Sequence, residues 1–320
     1  MKMSVQILLV TLCMLSFSHC RPKPKQMSAI VIKETVLDSI PSGSGIELYN
    51  DSLLIIGDDA KYLYLLSLKT HQFRSLLISH QPVINNRIDK NQKPDYEAAV
   101  LLHFRGGDYL FCFGSGSSSP SRDSLMIINV KDFRVDTILN IKRFYDYLMK
   151  ASNTDEKDWN MEGAAVVNDD LVLFNRGNNI IFRFNAEVFV DKILSTGMPP
   201  NEMIHIKAAL PSIEQYQARL SGAAAMGNEL LFSASAEKTT DWRIDGPVLG
   251  SYIGQFEEFE KVAFAARLTY PDGRASTDKI ESIVFLRKGK DDEIILSAIA
   301  DNDDGKSKLL EIHLKEKGQL

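Results

Sequence analysis

Five stretches of the chain open on one short motif, in which a polar residue is flanked by small or apolar ones. They are Ser44-Gly45-Ile46-Glu47-Leu48, Asp95-Tyr96-Glu97-Ala98-Ala99, Asn160-Met161-Glu162-Gly163-Ala164-Ala165, Arg219-Leu220-Ser221-Gly222-Ala223-Ala224 and Lys279-Ile280-Glu281-Ser282-Ile283. Anchors placed at 47, 97, 162, 221 and 281 are 50, 65, 59 and 60 residues apart. A period of this size marks a supersecondary unit that cannot bury its apolar face alone and stacks on copies of itself.

After the first anchor come apolar runs of strand length at 52–57, 62–68 and 73–78, separated by turns such as Asn50-Asp51 and Lys69-Thr70. Runs at 109–113, 125–130 and 135–141, at 171–174, 180–184 and 204–208, and at 229–234, 248–253 and 262–268 repeat the arrangement. Strand runs joined by short polar turns read as antiparallel meanders, and four strands per unit make the blade of a β-propeller. The fifth unit, with runs at 280–286, 294–299 and 309–314, is one strand short, while residues 29–37 (AIVIKETVL) belong to no unit. The expectation is an all-β, five-bladed propeller, with residues 29–37 as the outer strand of the last blade; six blades is the alternative. Pairing the termini in this way removes two exposed edges.

Residues 1–20 read as a signal peptide: Lys2 is followed by the apolar run 5–17 and then by a polar segment beginning Arg21-Pro22-Lys23-Pro24-Lys25. The expected division is therefore a signal at 1–20, a tether at 21–28 and one domain at 29–320. Cys20, where the apolar run ends, is a candidate for lipidation or an incidental residue at a cleavage site. Of three cysteines only Cys112 lies within the domain, in an apolar run that makes it a core residue, so no internal disulfide is expected. A net charge of −5 and the lack of a basic stripe argue against a nucleic-acid partner.

In a blade, the start of the first strand and the end of the second lie at one mouth of the ring. This places Glu47, Glu97, Glu162 and Glu281 together, with Ser221 as the exception. It adds Asp58, Asp59, Ser115, Ser117, Arg176, Glu237, Asp301 and Asp303 at the ends of the second strands. Crowded carboxylates must be paired or metal-bound, and a ring of oxygen ligands suits Ca²⁺. Calcium at Glu47, Glu97, Glu162 and Glu281, staples from these carboxylates to amides of the next blade, and direct substrate contact are the three roles open to them. Arg176 is a candidate ion-pair partner for Glu162 or an anion clamp. Arg122, after Gly114-Ser115-Gly116-Ser117, is placed beside a possible anion nest. Two insertions stand out: 142–158, with Phe144, Tyr147 and Leu148 at helical spacing, and 237–247, whose Trp242 and Asp245 could roof the funnel.

No Gly-x-Ser-x-Gly, Walker, dinucleotide or His-Glu-x-x-His motif occurs. The Glu-Gly-Ala-Ala type strand openings, Asn175-Arg176-Gly177, the Gly114-to-Ser117 turn with Arg122, and Asp301-Asn302-Asp303 followed by Ser307-Lys308-Leu309-Leu310 resemble a family of exported bacterial β-propellers without an assigned activity. More distantly, they are similar to the phytase-like, or esterase-like, propellers. The likeness spans roughly residues 29–315 and implies a propeller with calcium-dependent phosphoesterase ancestry. The expected protein is thus a bacterial, exported monomer, periplasmic or anchored to the outer membrane as a lipoprotein. Its funnel would bind a small polar ligand, an ion or an envelope protein, with calcium-dependent hydrolysis as the alternative.

Overall fold

The computed structural model describes residues 26–241, 243–244, 246–302 and 305–317. The signal segment, Cys20, Trp242, Asp245 and Asp303 lie outside the described residues. The fold is all-β. Unit one is Gly43–Tyr49, Ser52–Gly57, Tyr62–Ser67 and Phe73–Leu77; unit two is Tyr96–Phe104, Gly107–Gly114, Ser124–Asn129 and Arg134–Asn140. Unit three is Met161–Val167, Asp170–Asn175, Ile180–Asn185 and Ile204–Lys207. Unit four is Arg219–Met226, Glu229–Glu237, Val248–Glu257 and Lys261–Thr269. Each is an antiparallel meander.

The last three strands of the chain, Ile280–Lys288, Ile294–Asp301 and Ser307–Glu316, are completed by the N-terminal strand Met27–Leu37. It runs antiparallel to Ser307–Glu316, from Met27 opposite Glu316 to Leu37 opposite Ser307. Ala29 and Ile30 also pair in parallel with Leu268 and Thr269, which joins the fourth and fifth units into one eight-stranded sheet.

The first strands of the five units lie side by side in a cycle: Gly43–Tyr49 packs on Tyr96–Phe104 and on Ile280–Lys288, and the intervening neighbours follow in chain order. Apolar clusters sit between consecutive units rather than at one centre. Phe111, Phe113, Phe144 and Phe182 fill the space between units two and three; Leu54, Leu63, Tyr96 and Cys112 fill that between units one and two. Ile46 and Ile55 meet Val284 and Ile299 where the last unit faces the first. Strands covered on both faces read as unbroken apolar runs rather than alternating ones, as Leu53-Leu54-Ile55-Ile56 does, each residue at most 1% exposed.

Two helices decorate this frame. α1, Lys142–Ser152, buries Phe144, Tyr145 and Leu148, so Tyr145 takes the core place expected of Tyr147. α2, Ala186–Thr196, connects the last two strands of unit three. The Asn185 side chain accepts a hydrogen bond from the Val188 amide at its start, and Gly197 in the left-handed region ends it.

Candidate functional site

The start of every first strand carries a β-bulge. The ladders shift register between Gly43 and Gly45, Tyr96 and Ala98, Met161 and Gly163, Leu220 and Ala223, and Ile280 and Ser282. A bulged residue leaves the ladder and its side chain is re-aimed; here the bulged residues are Ser44, Glu97, Glu162, Ser221 and Glu281. Small residues follow because the next unit comes close. A Cβ on Gly222 would lie 2.6 Å from the Cα of Ser282, and one on Gly163 would lie 3.1 Å from the Ser221 carbonyl oxygen.

This register corrects the placement of Glu47. The position equivalent to Glu97 in unit one is Ser44, which donates a hydrogen bond of 2.5 Å to the Tyr96 carbonyl of the neighbouring unit. Glu47 is three residues further along and lines a separate cavity of about 210 Å³ with Leu101, Ala224 and Val284. There, burial pushes its carboxyl up to about 8, against backbone hydrogen bonds from Leu48 and Leu101 that hold it down.

Glu97, Glu162 and Glu281 surround a cavity of about 940 Å³ at one mouth of the ring. Its walls include Asp58, Asp59, Glu97, Ser117, Arg122, Glu162, Arg176, Glu281 and Asp301. Ser115 is fully buried beneath it, bonded to Asp95 and Ser117. Ser221 is turned away to the Ser233 hydroxyl, 2.9 Å distant.

Two charge clusters divide the mouth. In the first, Arg176 is 4% exposed and reaches Glu162 at 3.0 Å, Glu237 by a short contact and Glu281 at 4.0 Å. Asn160 Nδ2 donates to Glu162 at 2.5 Å, and Lys279 lies 3.2 Å from Glu281. Burial opposes the positive charge on Arg176, but Glu162, Glu237 and Glu281 outweigh it and raise its pKa. Burial would also raise Glu237, yet Arg176 and then Lys279 hold it below the ordinary carboxylate value. Glu281 goes the other way: burial, with Glu162 adding its charge, pushes it up to about 8 in spite of Lys279 and Arg176.

In the second cluster, ligand oxygens of Asp58, Asp95 and Glu97 lie within 4.8 Å of one another. Lys93 Nζ is 2.5 Å from Asp95 and makes a short contact with Asp58. Arg122 Nη1 reaches Asp95 at 2.8 Å, and Arg87 Nε reaches Asp59 at 2.5 Å from the hairpin Val83–Ile84 and Arg87–Ile88. That hairpin turns through Asn85 and Asn86, both at positive φ, as a tight two-residue turn requires. Burial works against the charge on Asp58, but the Lys93 ammonium keeps its pKa low. Burial and the charges of Asp95 and Asp58 drive Glu97 well above the usual range.

The four glutamates expected to hold calcium therefore do not form one ligand ring. Glu47 is in another cavity, Glu162 is committed to Asn160 and Arg176, and Glu281 faces Lys279. The grouping with ligand spacing among the described residues is Asp58, Asp95 and Glu97, and Lys93 already supplies positive charge there. Sequence reasoning passed over Asp95, Lys93 and Lys279 as site residues. Each precedes a bulged glutamate by two or four positions, in the connection that leads into its strand.

The raised carboxyls set a direction for pH. An acid whose folded pKa lies above its unfolded value stabilises fully below the unfolded value and loses that contribution as pH rises through the folded one. With Glu47 and Glu281 near 8, the melting temperature should fall between about pH 5 and pH 8. Glu47→Gln should flatten part of that slope in a calorimetric pH series, and a variant profile parallel to the wild type would refute the assignment.

The family described as "Family of unknown function (DUF6929)" matches residues 39–314. The chain belongs to that family. No curated protein matches this DUF6929 chain in sequence. Among solved structures, it is similar to the glutaminyl cyclase of Myxococcus xanthus, at 10% identity and a TM-score of 0.50, covering 92% of this chain and 99% of that one. It is also similar to the Bacillus subtilis arabinanase Arb43A, at 12% identity and a TM-score of 0.42 over 88% and 96% of the two chains. The β-propeller domain of Swd1 from Myceliophteria thermophila matches at 11% identity and a TM-score of 0.37, over 83% and 82%. The glutaminyl cyclase is a β-propeller protein, and the DUF6929 chain shares that general fold. The phytase-like part of the resemblance has no counterpart among these structures.

Proposed function

We propose that this chain is a five-bladed propeller, closed by its N-terminal strand, whose mouth binds a small ligand carrying positive charge. The observation that supports this most is the state of Glu97 and Glu281. Glu281 is buried and Glu97 partly buried in the wall of a cavity of about 940 Å³, and both are pushed up, by burial first and then by the charge of neighbouring acids. A carboxyl held in its protonated form by burial and like charge gives up that proton when a cation arrives. Calcium is the metal that the oxygen ligands of Asp58, Asp95 and Glu97 suit, with the Lys93 ammonium displaced; an organic amine needs no such displacement. Export through the N-terminal segment, with or without a lipid on Cys20, is proposed with it.

The test is calorimetric titration with calcium chloride and, separately, spermidine at pH 7.5 in buffers of differing ionisation heat. Binding of one of them should release protons and raise the melting temperature. Glu281→Gln should remove part of the proton release. Binding of neither cation, or binding without proton release, would overturn the reading.

A second reading, hydrolysis, draws on one feature. Glu281 is raised and Glu237 lowered beside the same Arg176, and divergent pKa values in neighbouring acids are how a general acid and a general base are told apart. It requires turnover that is lost in both Glu281→Gln and Glu237→Gln.

A further inference from the structure

A second cavity of about 280 Å³ shares Arg176 with the mouth but lies toward unit four, against the hairpin Ser212–Ile213 and Tyr216–Gln217 and residues 237–240. Besides Arg176 it is lined by Arg219, Gln215, Tyr216 and Thr240. Arg219 stands at the start of the first strand of unit four and makes no ion pair among the described residues. Its Nη1 donates instead to the Gly177 carbonyl at 2.5 Å. Burial and then the Arg176 guanidinium lower the Arg219 pKa, and the charges of Asp158, Glu237 and Asp241, none within ion-pair distance, do not outweigh them.

Arg176 brings an independent sign of want. It spends Nη1 on Glu162 and Nη2 on Glu237, but its Nε–H is buried without a hydrogen-bond partner. A buried donor left unpaired is costly. Glu237, the acid in the same wall, is already neutralised by Arg176 and Lys279.

We propose that this side pocket is a binding site for a small oxyanion, a carboxylate or phosphoryl group, with Arg219 as its principal contact. The planar fork of an arginine without a counter-ion matches two oxygens of such a group. Gln215, Tyr216 and Thr240 supply neutral donors around it. The volume admits one anionic group with a few attached atoms, rather than a large ligand.

The experiment is titration calorimetry with inorganic phosphate and, separately, acetate, at ionic strength held constant with sodium chloride. Wild type, Arg219→Gln, Arg219→Lys and Arg134→Gln are compared. Arg134, exposed at the start of the outer strand of unit two and lining neither cavity, is the control for a generic loss of charge. At least one probe should bind the wild type, and the better one names the group. Its affinity should fall about tenfold or more in Arg219→Gln, the worth of a charge-assisted hydrogen bond. It should fall less in Arg219→Lys and stay unchanged in Arg134→Gln. Absence of binding by both probes, or equal affinity in wild type and in either folded Arg219 variant, would overturn the proposal. The cation titrations use other probes and other residues, so failure of one reading leaves the other standing.

Discussion

Deleting residues 26–38 should abolish cooperative folding of the entire chain, or lower its melting temperature by more than about 10 °C. The strand it removes pairs along the whole length of Ser307–Glu316 and touches Leu268 and Thr269 on its other side. Ala29 and Val31, at most 3% exposed, would leave the core between the fourth and fifth units. Lys308 would lose Glu34, 3.2 Å away, and keep Asp278 at 2.9 Å. Because each unit is packed between two others, opening one seam bares apolar faces on both sides of it, and the loss spreads around the cycle. A permuted chain separates loss of sequence from loss of the seam. Residue 26 already meets the C-terminal strand, where the Lys317 amide donates to the Gln26 carbonyl at 2.7 Å. Residues 26–38 appended behind Lys317 through a short turn should therefore restore the melt. Thermal unfolding by circular dichroism decides the matter; a truncated chain melting like the intact one would show that the N-terminal strand does not close the fold.

That strand was legible because a five-fold count left it over, and the meanders were legible because their strands are apolar on both faces. The placement of Glu47 was not. Ser44-Gly45 and Glu47-Leu48 compete for the same anchor, and nothing in apolar periodicity reveals a bulge, which adds one residue without changing composition. The clue was the small residue after the anchor, since Gly45 answers to Gly163 and Gly222, where the next unit leaves no room for a side chain. Lys93 and Lys279 were overlooked for a related reason: a lysine before a strand reads as solvated until its neighbours within the ring are known. α2 was readable in principle from Asn185, the Phe189–Ile193 spacing and Gly197, but it sits in the long connection between the strand runs at 180–184 and 204–208. The pairing of Arg176 with Glu162 was anticipated from one turn, whereas its bridge to Glu237, 61 residues away, depended on how two units meet.

That bridge carries the second large effect. Arg176→Ala should destabilise the protein by on the order of 3–5 kcal/mol near neutral pH, the usual cost of stranding buried partners of an ion pair. Glu162 would retain Asn160, and Glu237 would retain the Gly246 amide at 3.3 Å and Lys279 at 3.9 Å. Neither set replaces a guanidinium that now serves both carboxylates at once. The sign with pH separates this from a simple cavity. In the wild type, Arg176 helps to hold Glu237 low, a contribution present above the unfolded pKa and lost as pH falls through the folded one. Without Arg176 the acids would titrate higher and stabilise best when protonated, so the deficit should be largest near pH 8 and should shrink toward pH 5. Lost packing has no such slope. Arg176→Met combined with Glu237→Gln should recover a good part of the loss, because it removes a stranded charge and refills the space. Arg176→Lys should recover less, since one ammonium lacks the reach to pair with both acids. A deficit in Arg176→Ala that stays constant from pH 5 to pH 8 would mean that the arginine fills volume and that its bridge between Glu162 and Glu237 contributes little to holding the third and fourth units together.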